Sequence, residues 1–153
     1  MRINDYANIF DYWQFKNLKN MEGSDSEQYV HKEDLPFLKA KMAEEKGAKL
    51  SFDFKGRIPS PWDGNLQSAE IVICYANPLS DVDDANNKVQ MLEQLSGSAP
   101  LPTDIDNWNR WYKQKKFERL GKFQNSNKIS VFNICPYASE NMSDVNWRTA
   151  SCL

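Results

Sequence analysis

Two asparagines stand at the carboxyl ends of two apolar runs in this sequence. Asn77 follows the run Ile71–Tyr75 and directly precedes Pro78, and Asn133 lies near the end of a second run, Ile129–Cys135. A carboxamide carries both a donor and an acceptor, so it can hold a polar ligand from two sides. Because a proline turns the chain sharply after each run, the pattern predicts that both asparagines are held where a ligand would bind.

The two apolar runs predict neighbouring strands of one parallel sheet. Each run is continuous rather than alternating, which is typical of strands covered on both faces. Helical patterns at 82–95 and 104–123 lie between them, so the connection is a crossover and the strands are expected to be parallel. Ligands of open α/β sheets bind beyond the carboxyl ends of such strands. Asn77, Asn133 and Tyr137 are therefore expected at the same edge.

The chain before these strands predicts helices, loops and one short strand. Apolar spacing of three and four predicts a first helix, and acidic residues before Pro36 predict the start of a second. Alternation predicts an edge strand, and a stretch rich in proline and glycine predicts a surface loop. In chain order the elements are helix 4–19, loop 20–28, helix 33–47, strand Lys49–Phe54 and loop 56–65.

At 153 residues the chain is expected to be one α/β domain. Its N-terminal helical region would be 1–48, and the sheet with its crossover helices would be 49–153. Two central strands cannot form a stable sheet alone. Either Lys49–Phe54 and a partner, such as a second copy of the chain, complete the sheet, or the chain is the front portion of a larger domain.

The charge and the residue types of the chain argue against several kinds of functional site. The net charge is −2, so no overall charge draws the chain to nucleic acid. His31 is the only histidine, expected at the surface or in a loop, and there is no CxxC pair, so neither a zinc site nor a Ser-His-Asp triad is indicated. The odd count of three cysteines, with Cys74 and Cys135 in apolar runs, predicts reduced, buried thiols in a cytoplasmic protein. No run is long enough to span a membrane, and no signal peptide is visible.

Three stretches together resemble the uracil-DNA glycosylase superfamily, in particular an uncharacterised bacterial branch of it. "CYANPLS" at 74–80 is similar to the loop after the first core strand of the family, and "IPSPWDGNLQSAEIVI" at 58–73 to the lead-in of the branch. "ISVFNICPYAS" at 129–139 resembles the strand that carries the base-reading asparagine. The resemblance covers about 29–139 and implies a three-layer Rossmann-like fold with a parallel sheet.

The resemblance implies hydrolysis of the N-glycosidic bond of a nucleobase that is flipped out of DNA, without a metal or another cofactor. Asn77 would be the catalytic residue that positions the attacking water. Asn133 would bind the Watson–Crick edge of the base through its amide. The remaining residues of the implied substrate pocket are Tyr75, Ala76, Pro78, Leu79 and Tyr137.

The sequence departs from the family pattern at two places. Glycines are expected around the Asn-Pro pair so that the backbone can approach the ligand, but Tyr75 or Ala76 stands on one side and Leu79 on the other. The last motif of the family would lie beyond Leu153, so the fold is expected to be truncated at its C-terminal end. We therefore expect weak glycosylase activity or none.

Each candidate residue also has a structural interpretation. Asn77 is compatible with a simple turn, Asn133 with an amide that pins a loop backbone, and Tyr137 with packing under a loop. The acidic residues after the first strand are compatible with helix capping, and a basic cluster with either a phosphate contact or a solvated helix face. These two groups are Asp81, Asp83 and Asp84, and Arg110, Lys113, Lys115, Lys116, Arg119 and Lys122.

Two alternatives to a glycosylase stay open. The chain is also compatible with a non-catalytic module that binds a nucleotide or completes its sheet with a second subunit. It is equally compatible with an inactive fragment of a larger protein.

Overall fold

The structure is a computed structural model. It describes residues 8–20, 28–44, 57–76, 78, 87–102 and 128–138. The predicted strand at 49–54, the predicted helix at 104–123, the acidic residues at 81–84 and the basic cluster lie outside these residues. Among the described helices, none combines the length and the apolar character that crossing a bilayer requires.

The described residues form a mixed α and β structure with two small sheets. A short 3-10 helix at Phe15–Asn17 lies between Tyr12, where the first helix ends, and Leu18, where the first strand begins. The helices are α1 (Ile9–Tyr12), α2 (Leu35–Glu44) and α3 (Lys88–Gln94), and the strands are β1 (Leu18–Asn20), β2 (Tyr29–His31), β3 (Trp62–Asp63), β4 (Ile71–Tyr75) and β5 (Ile129–Asn133).

The N-terminal region contains a β-hairpin where the sequence predicted only helix and loop. The predicted helix 4–19 ends at Tyr12 in the structure, and β1 pairs antiparallel with β2. The side-chain amide of Asn17 causes this early end, because it donates to the carbonyl oxygens of Asp11 and Tyr12 at 2.8 and 2.9 Å. These carbonyls are the ones a continuing helix would use. Trp13, one of the apolar residues that predicted the helix, is buried in the core together with Leu18 and Val30 of the hairpin.

The predicted parallel pair is confirmed. β4 and β5 are parallel, with Ile71 opposite Ile129 and Tyr75 opposite Asn133. The sheet as a whole is mixed, because β3 pairs antiparallel with the other side of β5, giving the order β3-β5-β4. The prediction of a purely parallel sheet was therefore wrong at β3, where a loop was expected.

Burial differs between the two parallel strands. β5 is central in this sheet, and four of its five residues are buried. β4 alternates between half-buried and exposed residues, with Val72 46% exposed. The prediction that both strands are covered on both faces is correct for β5 and wrong for β4. For the same reason Cys74 is an exposed free thiol, whereas Cys135 is buried as predicted.

The segment before β3 is buried, although its prolines and glycines predicted a surface loop. Residues 57–62 are all buried. Its backbone groups find partners in the exit from β5: Ser60 N–H donates to the carbonyl of Pro136 at 2.8 Å, and Asn133 N–H donates to the carbonyl of Pro61 at 2.9 Å. A loop can be buried when its polar backbone groups are satisfied in this way.

The helices near this sheet agree with the sequence where they are described. α2 contains Pro36 in its first turn, as predicted. Of the predicted helix at 82–95, the described part forms α3 (Lys88–Gln94), and 82–86 lie outside the described residues. The chain leaves α3 through Gly97, whose φ of +68° suits glycine. A methyl group on Gly97 would overlap the ring of Phe10, so this glycine also allows α1 to approach α3.

Candidate functional site

The candidate site is the carboxyl edge of the parallel pair, called here the strand-end edge and formed by Tyr75, Ala76, Pro78, Asn133 and Ile134. Beyond the strands the two chains stay joined: Ile134 N–H donates to the carbonyl of Tyr75, and Cys135 N–H to that of Ala76, both at 2.8 Å. The segment that leads to Asn77 is thus fixed to the segment that follows Asn133. The structure brings these two predicted site segments together.

Asn133 is 4% exposed and its amide is anchored. Nδ2 donates to the carbonyl oxygen of Ser60 at 2.8 Å. This contact corresponds to the interpretation in which the asparagine pins a loop backbone. It also fixes the side-chain orientation, since only the nitrogen of the amide can donate to a carbonyl. The amide has a second N–H and a carbonyl oxygen, which are the donor and the acceptor that a base edge would need.

Two further hydrogen bonds hold the segment that contains Ser60, whose carbonyl oxygen accepts from Asn133. Ser60 Oγ donates to Asp63 Oδ1 at 3.0 Å, and Ser130 Oγ donates to the carbonyl of Asp63 at 2.8 Å. Ser130, the second residue of β5, is completely buried. The loop before β3 is therefore held against β5 at several points, and Asn133 is one of them.

The other residues at this edge are less buried. Tyr75, Ala76 and Pro78 are half-buried, and Ile134 is 68% exposed. Asn77 and Leu79 lie outside the described residues. The arrangement offers a buried amide beside a half-buried aromatic ring, and an exposed aliphatic side chain next to them.

Tyr137 packs in the core rather than at the strand-end edge. It is 2% exposed, and its hydroxyl donates to Asp34 Oδ2 at 2.5 Å while accepting from His31 N–H at 3.1 Å. This is the packing interpretation of Tyr137. It ties the exit from β5 to the N-terminal hairpin, across more than 100 positions of sequence.

His31 is wholly buried, so the prediction of a surface or loop position was wrong. Its ring stacks on Tyr12 with centroids 3.7 Å apart, and Nε2 lies 2.9 Å from the carbonyl oxygen of Tyr12. Nδ1 accepts from Glu33 N–H at 3.2 Å, so the proton of the neutral ring is on Nε2. Burial lowers the pKa of His31 to about 4.

Asp34, His31, Tyr12 and Tyr137 form a buried cluster, in which the pKa of Asp34 is shifted in the direction opposite to that of His31. Asp34 is 6% exposed, and burial raises the pKa of its carboxyl group to about 6, although the hydrogen bond from Tyr137 works against this rise. The same surroundings raise the pKa of Tyr137 well above its ordinary value, first through burial and then through the charge of Asp34. Burial also raises the pKa of Cys135 to about 11.

Sequence reasoning missed this cluster. The only signal was a single histidine within a short stretch of tyrosine, valine and charged residues, and none of its partners could be read from spacing. Among the described residues, no group of three or more His, Cys, Asp or Glu side chains is placed to hold a metal ion.

Comparison with known proteins adds no relative: no protein-family model, no curated protein and no solved structure matches the chain.

Proposed function

We propose that this chain binds a nucleobase at the strand-end edge, as a protein of the uracil-DNA glycosylase type with a three-layer Rossmann-like fold. The observation that carries the proposal is the register of the parallel pair, in which Tyr75 lies opposite Asn133. Asn133 is the last residue of β5, and Asn77 follows β4 by two positions in the sequence, so the proposal assigns both asparagines to this edge of the sheet. Ligands of α/β sheets bind at such edges.

In this proposal Asn133 reads the base. Its amide is held by Ser60, so the remaining N–H and the carbonyl oxygen keep one orientation before the ligand arrives. Pre-organised polar groups bind more tightly because less ordering is needed on binding. The half-buried ring of Tyr75 is the stacking partner, and Asn77 positions the water that attacks the N-glycosidic bond.

We expect the chain to bind the nucleobase but to hydrolyse its N-glycosidic bond slowly or not at all. Leu79 stands where a glycine would let the backbone approach the sugar, so the reacting atoms are expected to be less closely held. An offset of about 1 Å can cost about a hundredfold in rate. Base binding without measurable turnover therefore fits the proposal, and turnover without binding does not.

The test combines a binding and a cleavage assay. Fluorescently labelled single- and double-stranded oligonucleotides with one uracil, or one hypoxanthine, are titrated with the chain and then treated with alkali. We expect tighter binding than to the unmodified strand, and any alkali-labile site should disappear in Asn77→Ala. Equal binding to modified and unmodified strands, together with intact strands at high protein excess, would contradict the proposal.

The control variant is Asn65→Ala. Asn65 follows β3, which runs antiparallel to β5, so it lies near the amino end of β5 and far along the strand from Asn133. Asn65→Ala removes an asparagine side chain at a position outside the strand-end edge, so it should leave base binding unchanged. Each variant is first checked by far-ultraviolet circular dichroism, so that a loss of binding is not a loss of fold.

One observation favours a second candidate, a module that completes its sheet with another subunit. Val72 on β4 is 46% exposed and Ile134 is 68% exposed, so large apolar side chains of the sheet region face solvent. Sedimentation equilibrium of the chain and of Val72→Asp tests this candidate. A dimer that the substitution dissociates supports it, and a monomer at all concentrations argues against it.

A further inference from the structure

A cavity of about 880 Å³ opens on another part of the molecule from the strand-end edge. It lies between α1, the turn after β3 and the C-terminal end of α3, and no described residue of the strand-end edge lines it. It is a depression that is largely open to solvent, so a bound molecule would be covered mainly from one side. The cavity is large enough for an organic molecule of more than one ring.

One side of the cavity is apolar, and three of its residues, Phe10, Leu92 and Leu95, belong to the main core or pack against it. Phe10 contributes a ring that forms a T-shaped pair with Trp62, with centroids 5.2 Å apart, and Phe15 contributes a ring that is 48% exposed. Leu92 and Leu95 of α3 add aliphatic surface, and Leu95 belongs to the main core. Aromatic rings with one open face bind other rings by stacking or edge contacts.

The polar side of the cavity carries a negative charge. Asp11 is the one ionisable side chain among the described residues that line the cavity. Its position is held from two directions: Asp11 N–H donates to Asn8 Oδ1 at 2.9 Å, and Gln14 Nε2 donates to Asp11 Oδ1 at 3.0 Å. A carboxylate has room for several donors, so it can accept a further N–H.

We propose that this cavity binds a small organic cation with an aromatic body, its ammonium group on Asp11 and its rings against Phe10 and Phe15. The carboxylate selects the charge through a charge-assisted hydrogen bond, which is about twice as strong as a neutral one. The rings supply the apolar contact. The site is separate from the strand-end edge, so it stands or falls independently of the proposed nucleobase binding.

The experiment is a nuclear magnetic resonance titration of the full ¹⁵N-labelled chain with two probes of similar shape and opposite charge. They are biphenyl-4-ylmethylammonium and biphenyl-4-acetate. We expect the amine to bind with a Kd of about 1 mM or lower, and to shift the backbone signals of residues 92–98. The acetate should bind about tenfold more weakly, because it meets the carboxylate of Asp11.

Three variants make the test specific. Asp11→Asn keeps an oxygen that can accept from Gln14 and removes the charge, so amine binding should weaken about tenfold and the preference over the acetate should vanish. Phe15→Ala should weaken both probes. Glu93→Gln removes the same charge from an exposed position of α3 that does not line the cavity, and should leave both affinities unchanged.

The proposal is overturned if the amine causes no shift at residues 92–98, or if the acetate binds as well as the amine. It is also overturned if Glu93→Gln weakens the amine as much as Asp11→Asn does, because the charge preference would then be a general field effect.

Discussion

Two buried ionisable groups, His31 and Asp34, should make opposite contributions to the pH dependence of the free energy of unfolding. His31 has a pKa lowered to about 4 from 6.5, and Asp34 a pKa raised to about 6 from 3.8, in both cases mainly by burial. In each group burial favours the uncharged form. The charged groups around them are Glu33, which raises both pKa values, and Lys32, which lowers that of His31.

The signs of the two effects are opposite. Between pH 6.5 and about 4 the unfolded chain protonates His31 while the folded protein keeps it neutral, so the free energy of unfolding falls as the pH falls. Between pH 3.8 and about 6 the unfolded chain ionises Asp34 while the folded protein keeps it protonated, so the free energy of unfolding falls as the pH rises. Each effect amounts to about 3 kcal/mol, at about 1.4 kcal/mol for each pH unit.

From about pH 4 to 6 these two contributions cancel in the wild-type protein, and single variants should reveal them. Asp34→Asn keeps an acceptor for the Tyr137 hydroxyl but cannot ionise. Compared with wild type, it should gain about 3 kcal/mol in stability as the pH rises from 4 to 6. His31→Gln keeps a donor for the carbonyl of Tyr12 but cannot take up a proton near neutrality. Compared with wild type, it should lose about 3 kcal/mol over a similar rise in pH.

The assay is urea unfolding at half-unit steps from pH 4 to 7, followed by tryptophan fluorescence. Differences between each variant and wild type are compared, because they cancel the titration of groups that all three proteins share. A constant difference between Asp34→Asn and wild type across this range would mean that the carboxyl group titrates normally. That result would refute the reasoning from burial. Curves of opposite slope for the two variants would support it.

Two further predictions concern single positions. Gly97→Ala should destabilise the fold by about 2 kcal/mol or more, because φ is +68° and the new methyl group would overlap the ring of Phe10. Urea midpoints measure the loss of stability, and a stability equal to wild type would contradict the close approach of α1. In a Cys152→Ser background, Cys74 should react with Ellman's reagent in the folded protein, whereas Cys135 should react only after unfolding, because it is buried and its pKa is raised to about 11. Two reactive thiols without denaturant would contradict this burial.

The strand-end edge was predictable because its signals are local. Continuous apolar runs define β4 and β5, and the intervening length of chain requires them to be parallel. The register then follows from where each run begins and ends, and it brings Tyr75 opposite Asn133. The same local signals could not separate a central strand from a flanking one, which is why Val72 and Cys74 were expected to be buried.

The N-terminal hairpin and the buried cluster were not predictable because their causes are distant in sequence. The apolar spacing of three and four before Leu18 fits a helix, but Asn17 takes the carbonyls that the helix would need, and β2 offers a strand partner. His31 is buried because Tyr12 and Tyr137 close around it, and Tyr137 is 106 positions away. Tertiary contacts of this kind override local preference.

The buried loop before β3 connects the fold to the candidate site. Asn133 anchors this loop through Ser60, so its amide is structural in the absence of any ligand. That role is compatible with the proposed base reading, since one N–H serves the loop while a second N–H and an oxygen belong to the same rigid group. Removing the side chain would therefore affect stability and binding together, with a stability cost of about 1–3 kcal/mol for the unpaired carbonyl of Ser60. The sharper mutational test of the proposal is Asn77→Ala, because Asn77 follows β4 by two positions in the sequence and the residue that anchors Ser60 is Asn133.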